Sequence, residues 1–261
     1  MHIIVCIKQV VAGNQVKVDP RTYSVVRLLE SSRINPYDLF ALDLAAQLKK
    51  EHSGSITAVT MGPGISEEVL WEALALGADR AVLLSDLRFA SADTLATSYV
   101  LGMGIRKIGS FDLILTGMRT SDGDTGQVGP QLAEELGIPF VGAVEKVEGK
   151  KDRLRVERTA DGFREVLDLS TPALLTVASG RPVHLPGLIE IREAFSSRVI
   201  ESWNSEDLKT DPARTGYPGS GTWVEGLTPV DRKKSCVLIE GDVRFQAKTL
   251  LSKLLEKDLL S

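Results

Sequence analysis

Four apolar runs punctuate the first half of the chain: Ile3 to Ile7, Ser55 to Met61, Ala81 to Leu84 and Phe111 to Thr116. Each is separated from the next by a stretch with helical periodicity, and that alternation constrains the fold more than any other feature. Runs this apolar have no face to offer water, and parallel strands need a long crossover, usually a helix, between them. The pattern predicts β–α units: an α/β fold whose mainly parallel sheet carries helices on both faces.

The helices between the runs have their own signals. At Ile34-Asn35-Pro36-Tyr37-Asp38, Asn35 can cap the first free amides, Pro36 suits the first helical position, and Asp38 complements the helix dipole. Phe40, Leu44 and Leu48 continue on one i, i+4 row, and Leu42 and Ala46 widen the apolar face. Ser66 is placed to cap the next helix, with Val69, Ala73 and Leu76 inward and Gly77 at its end. A third helix is predicted from Ala92 to Ile108, with Leu95, Tyr99 and Met103 at helical spacing. Between the first strand and the first helix the chain makes a polar excursion through Val18-Asp19-Pro20.

Parallel sheets of this kind bind ligands outside the carboxyl ends of their strands, near the point where strand order reverses. Cys6 to Lys8, Met61 to Gly64 and Gly117 to Gly129 would share that edge. The last segment belongs to Gly117-Met118-Arg119-Thr120-Ser121-Asp122-Gly123-Asp124-Thr125-Gly126-Gln127-Val128-Gly129-Pro130, a glycine-rich turn between an apolar strand and a short helix carrying Leu132 and Leu136. Amides exposed beside a helix N-terminus make a phosphate site; an ordinary turn would have the same composition. Asp122 and Asp124 have the chemistry of an acid/base pair, but carboxylates in such turns more commonly organise the loop through local hydrogen bonds.

Other chemistries find no support. There is no GxxxxGK[ST] loop and no GxSxG elbow, and Gly102-Met103-Gly104 lacks the third glycine of a dinucleotide fingerprint. His2, His52 and His184 are isolated, and Cys6 and Cys236 are too few for a disulfide framework. A net charge of -4 gives no support for nucleic-acid binding. The N-terminal apolar run is too short for a signal peptide or membrane span, so no membrane insertion is expected and the default location is cytoplasmic.

The second half changes character. Val141 to Val147, Arg153 to Thr159, Phe163 to Leu169 and Ala173 to Val177 are short β-type runs. Hairpin chemistry at Gly149-Lys150-Lys151-Asp152 and Ala160-Asp161-Gly162 predicts antiparallel strands extending the same sheet. Asn204 to Gly226 is rich in Gly, Pro, Ser and charge and reads as a linker or surface excursion. Cys236 to Ile239 reads as a short strand. A terminal helix follows, with Val243, Ala247, Leu250, Leu251, Leu254 and Leu255 as its apolar stripe. Such a helix can dock on its own core or on a partner. The expected organisation is an α/β domain over 1–203, a linker over 204–235 and a C-terminal arm over 236–261.

Six motifs in order carry a family resemblance. They are Val5-Cys6-Ile7-Lys8-Gln9-Val10, Asn35-Pro36-Tyr37-Asp38, Met61-Gly62-Pro63, Gly77-Ala78-Asp79-Arg80-Ala81, Asp122 through Pro130, and Val156 to Glu165 followed by Thr171 to Thr176. Together they resemble the beta subunit of electron transfer flavoprotein over most of the chain; Phe163 departs from the small or acidic residue usual there. The resemblance implies a Rossmann-like, adenine nucleotide alpha hydrolase-like domain that binds an adenine nucleotide and pairs with an alpha subunit carrying its own FAD. By position, the nucleotide contacts would be Cys6, Lys8, Asn35, Pro36, Tyr37, Asp38, Met61, Gly62, Gly117, Met118, Arg119, Thr120, Ser121, Asp122, Gly123, Asp124, Thr125, Gly126, Gln127 and Val128. No catalytic side chain or metal is implied, and any redox activity belongs to the complex.

The wording of Asp122 to Pro130, with that of Leu84 to Tyr99, looks like the electron-bifurcating branch. There this site holds a second FAD that splits electron pairs from NADH; in simpler members it holds structural AMP. Pro186 to Ala194 is similar to the start of the family's recognition loop, and Leu188 takes the place of the leucine that anchors on an acyl-CoA dehydrogenase. The lysine-rich continuation of other members is replaced by Phe195-Ser196-Ser197-Arg198. The terminal helix would reach onto the alpha subunit. A nucleotide-binding module without a redox role remains as a second reading. An ATP-hydrolysing or adenylating enzyme would need an SGGxDS-type or lysine-bearing phosphate loop, and the sequence has neither.

Overall fold

A computed structural model describes residues 1–11, 17–18, 25–26, 32–150, 152–178, 180, 183–197, 199–226 and 236–259. Asp19-Pro20, Lys151 and Arg198 lie outside them. The chain divides into two units, Met1–Glu225 and Gly226–Ser261. The strands are β1 (His2–Cys6), β2 (Gln9–Val11), β3 (Lys17–Val18), β4 (Val25–Val26), β5 (Ser32–Ile34), β6 (Ser55–Met61), β7 (Arg80–Leu84), β8 (Leu113–Gly117), β9 (Phe140–Lys150), β10 (Arg153–Ala160), β11 (Phe163–Ser170), β12 (Ala173–Val177) and β13 (Ile200–Trp203). The helices are α1 (Pro36–His52), α2 (Glu67–Ala75), α3 (Thr94–Ile108), α4 (Val128–Leu136), α5 (Leu188–Ser197), α6 (Ser205–Leu208) and, in the second unit, α7 (Val243–Glu256).

Nine strands form one sheet in the order β11-β10-β9-β12-β8-β1-β6-β7-β13. Every pairing from β9 across to β13 is parallel. The two-residue period of a strand splits the core into two layers. Ile3, Val5, Ile56, Ala58, Leu113 and Leu115 pack with Ala41, Leu44 and Leu48 of α1 and Leu70 and Ala73 of α2. Ile4, Cys6, Val59, Ile114 and Leu174 pack with Tyr99 and Ile105 of α3 and Leu132 and Ala133 of α4. Both faces of β1, β6 and β8 are therefore buried, as their continuous apolar runs required, each large aliphatic contributing about 1.5–3 kcal/mol.

The antiparallel extension is smaller than the turn chemistry suggested. The β9–β10 and β10–β11 pairs are antiparallel, but Ala173–Val177 runs parallel to β8, in register from Ala173 opposite Leu113 to Val177 opposite Gly117. All five residues of β12 are buried. A strand with no polar face is covered only inside the sheet, so burial overrides hairpin proximity and slots β12 between β8 and β9.

The segment read as a linker folds onto the first unit as far as Glu225, beyond the boundary expected at 203. Asn204 closes a capping box with Asp207 at α6. The Asp211 amide donates to the Tyr99 hydroxyl at 2.8 Å, and Arg214 lies 4.0 Å over the Tyr99 ring. Asp93 accepts from the amides of Gly221 and Thr222 at 2.8 and 3.0 Å. Its Gly, Ser and Asp content supplies tight turns and close approaches here. In the second unit, Cys236 to Glu240 has no regular structure: among the described residues that unit holds no strand with which it could pair. Helix α7 forms as its apolar spacing predicted, capped by Asp242.

Candidate functional site

After β1 the chain builds β6 and β7 on one side, then returns through α3 to place β8 on the other. Strand order reverses at the β1–β8 boundary, where an open α/β sheet leaves a crevice. Cys6 is in register with Val59 of β6 and Thr116 of β8. The ends Cys6–Lys8, Met61–Gly62 and Gly117–Met118 thus share one edge. The Gly62 amide donates to the Leu84 carbonyl at 3.1 Å.

The first turn of α1 sits over this edge and ties it together. Pro36 opens the helix, but Asn35 does not cap it with its side chain. Its amide reaches out instead: Nδ2 donates to the Arg119 carbonyl at 2.9 Å and Oδ1 accepts from the Ser121 amide at 3.1 Å. The Asp38 carboxylate accepts from the Lys8 amide at 2.7 Å and the Gly117 amide at 3.1 Å. One buried carboxylate therefore bridges the ends of two neighbouring strands. Burial pushes Asp38 up to about 7, against the hydrogen bonds from the Lys8 amide, Asn35 and the Gly117 amide. Burial, and then the Asp38 charge, push the Cys6 thiol up to about 12, so it is not a nucleophile near neutral pH.

The loop after β8 is organised by its own polar groups. Lys8 Nζ lies 2.7 Å from Asp122, whose carboxylate also accepts from the Gly123 amide at 2.7 Å. Burial raises Asp122, but the Lys8 charge and the hydrogen bonds from Lys8, Thr120 and Gly123 outweigh it and hold the carboxyl below its ordinary range. The Asp124 amide donates to the Thr120 carbonyl at 3.0 Å, closing a turn with Asp124 at φ 51°. Arg119 lies 3.4 Å from Asp124 and 5.0 Å over the Tyr37 ring. At Gly126, φ is 64° and an added Cβ would lie 3.2 Å from the Met118 carbonyl. Residues Gly123 to Gln127, Thr125 among them, are exposed.

Helix α4 then begins with no side-chain cap at Gln127. The first amides of a helix, here those of Val128 and Gly129, have no intrahelical acceptor, and the dipole favours an anion beside them. An exposed glycine-containing turn running into an uncapped helix fits a phosphate or pyrophosphate. Asp122 and Asp124 are both spoken for by cations, so the structure joins them as loop scaffold and not as an acid/base pair.

Two contributors escaped the sequence reading. Thr94, the first residue of α3, donates to Gln127 at 3.0 Å and steadies the far end of the loop. Ser66 does not cap α2; it donates to Gln9 at 2.9 Å, and an added Cβ on Gly62 would collide with its hydroxyl. No local pattern marks either contact, because the partners are 33 and 57 residues apart. Leu188 stands apart from the crevice. It opens α5 and is 86% exposed, not a core leucine, while Ala194 is buried and Phe195 stacks on Trp71 at 5.1 Å. Among the described residues no group of His, Cys, Asp or Glu could hold a metal, and no helix is long and apolar enough to cross a membrane.

Residues 24–204 match the electron transfer flavoprotein domain. The electron transfer flavoprotein subunit beta of Clostridium acetobutylicum is 38% identical over 259 residues, covering 98% of this chain and 99% of that protein. Protein FixA of Sinorhizobium fredii is 40% identical over 249 residues, covering 92% and 87%. Subunit CarD of the caffeyl-CoA reductase-Etf complex of Acetobacterium woodii is 38% identical over 266 residues, covering 100% of both.

Proposed function

The chain belongs to the electron transfer flavoprotein beta-subunit/FixA family, and on that premise we propose that the crevice between β1, β6 and β8 binds FAD in a heterodimer with an alpha subunit. The observation that carries the site is the loop from Gly117 to Gly129, braced by Asn35 and Asp38 and ending at the uncapped start of α4. Backbone around Cys6 and Met61 borders the adenosine, and the amides from Thr125 to Val128 take the phosphates, those of Gly123 and Asp124 being engaged within the loop. The chain's residues bind and orient; a bound flavin would supply the redox chemistry. The alpha subunit carries the other FAD.

FAD is preferred over AMP because the Asp122 to Pro130 wording resembles the electron-bifurcating branch, in which NADH supplies the electron pair. The alternative is a non-bifurcating subunit in which AMP has a structural role. Leu188 and the exposed start of α5 would meet an acyl-CoA dehydrogenase or similar flavoprotein. The likeness to a subunit of a caffeyl-CoA reductase-Etf complex supports a partner of that class. The test is extraction of the purified heterodimer followed by chromatography of the released nucleotides. Two flavins are expected; one flavin with AMP would reject the FAD assignment, and no nucleotide on this chain would reject the site.

A further inference from the structure

Both cations that the described residues of the crevice offer to an anion are already engaged by carboxylates of the same loop. Arg119 faces Asp124 at 3.4 Å, and Lys8 Nζ contacts both Asp122 oxygens, at 2.8 and 2.7 Å. The two members of the second pair are unequally placed. Asp122 is 11% exposed, and it keeps the Gly123 amide at 2.7 Å and the Thr120 hydroxyl whether or not Lys8 is present. Lys8 is 39% exposed, and its backbone amide is pinned to Asp38 at 2.7 Å. Its Cα is therefore fixed at the crevice while its side chain stays free to swing. Asp122 can lose the ammonium without becoming a bare buried charge, and the ammonium has solvent to move through.

This inference rests on the reading of the crevice as a nucleotide site. We infer that Lys8 is a phosphate-recognition residue held in reserve by Asp122: nucleotide binding transfers the ammonium from the carboxylate to a phosphate oxygen. Asp122 is then a latch that competes with the ligand. Before binding, the ion pair joins the end of β1 to the loop after β8 and keeps the loop ordered. On binding, the phosphate displaces one half of that pair, and the hydrogen bonds from Gly123 and Thr120 retain Asp122.

The latch reverses the ordinary expectation for a mutation in a binding loop. If the pair only shaped the site, neutralising Asp122 would loosen the loop and weaken binding. If it competes, neutralising Asp122 frees Lys8 and tightens binding by about twofold to fivefold, the factor a partly exposed ion pair is worth. The experiment titrates the full-length, nucleotide-free chain with AMP by calorimetry and with FAD by fluorescence quenching. It compares wild type, Asp122→Asn, Lys8→Gln and the double variant. Asp122→Ser, which keeps an acceptor for the Gly123 amide, stands beside Asp122→Asn in case that variant folds poorly, as judged by circular dichroism. Expected are tighter binding by either Asp122 variant, weaker binding by Lys8→Gln, and a double variant no tighter than Lys8→Gln alone. An Asp122 variant that binds equally or more weakly, or a double variant tighter than Lys8→Gln, overturns the latch while leaving the nucleotide site intact. A wild-type chain that binds neither ligand overturns the site, and the latch with it.

Discussion

At the residue scale, Asp38 concentrates the conflict between burial and function. Its carboxylate is 4% exposed and faces donors, the amides of Lys8 and Gly117. With its carboxyl raised from 3.8 to about 7, the folded chain keeps a proton that the unfolded chain has released. This group's contribution to stability is therefore full below about pH 4 and is lost as pH rises through about 7, an effect on the order of a few kcal/mol at most. Asp38→Asn should flatten that part of the pH dependence in urea titrations between about pH 4 and pH 7. It should also cost about 1–3 kcal/mol at low pH, because an amide NH2 would face one of the two backbone donors. A slope unchanged by the substitution would locate the titration elsewhere. Gly117 is tied to the same carboxylate: an added Cβ would collide with Asp38 and come within 2.7 Å of the Tyr37 carbonyl carbon. Gly117→Ala should push α1 off the edge and abolish nucleotide retention in desalting, with a fall in stability of about 1–3 kcal/mol.

At the scale of elements, the sheet and its covering helices were legible because apolar runs and helical rows are local patterns, and β1, β6, β7, β8 and α1 to α4 fell where those patterns stood. What was not legible depended on distance in sequence. Nothing near Ala173 says that it will pair parallel with Leu113, and nothing near Asn35 says that its amide will hold Arg119 and Ser121 instead of capping its own helix. The strap from Asn204 to Glu225 misled for the opposite reason: its composition is that of a loop, and its anchors, Tyr99, Asp93 and Glu135, lie on other elements. These placements give α1 a task beyond packing. Asn35→Ala should leave the helix intact, since its side chain makes no cap, yet release residues 119–121 from the crevice. Two hydrogen bonds at about 1 kcal/mol each predict a loss of nucleotide affinity of about tenfold or more with little change in melting temperature. Equal losses in stability and affinity would make Asn35 a fold determinant.

At the scale of the whole molecule, the two units differ in what they can do alone. The first carries both apolar layers, and its core is complete in itself. Among its described residues the second contains one fourteen-residue helix with no buried residue, its Val243, Phe245, Leu250, Leu251 and Leu255 exposed. A helix of that length is marginal in water by itself, so its apolar stripe must be covered for the helix to persist. Two covers are available, the first unit or the proposed alpha subunit, and they make opposite predictions for a chain ending at Glu225. If the arm docks on its own core, truncation lowers the chemical stability of the chain. If it docks on the partner, the truncated chain unfolds at the same urea concentration as the full chain but no longer co-purifies with the alpha subunit. We expect the second outcome. The first unit ends at a clasp of its own, where Asp93 holds Gly221 and Thr222, and its two buried layers are built from its own residues. A truncated chain that loses stability, or one that still captures the alpha subunit, would assign the arm a different cover.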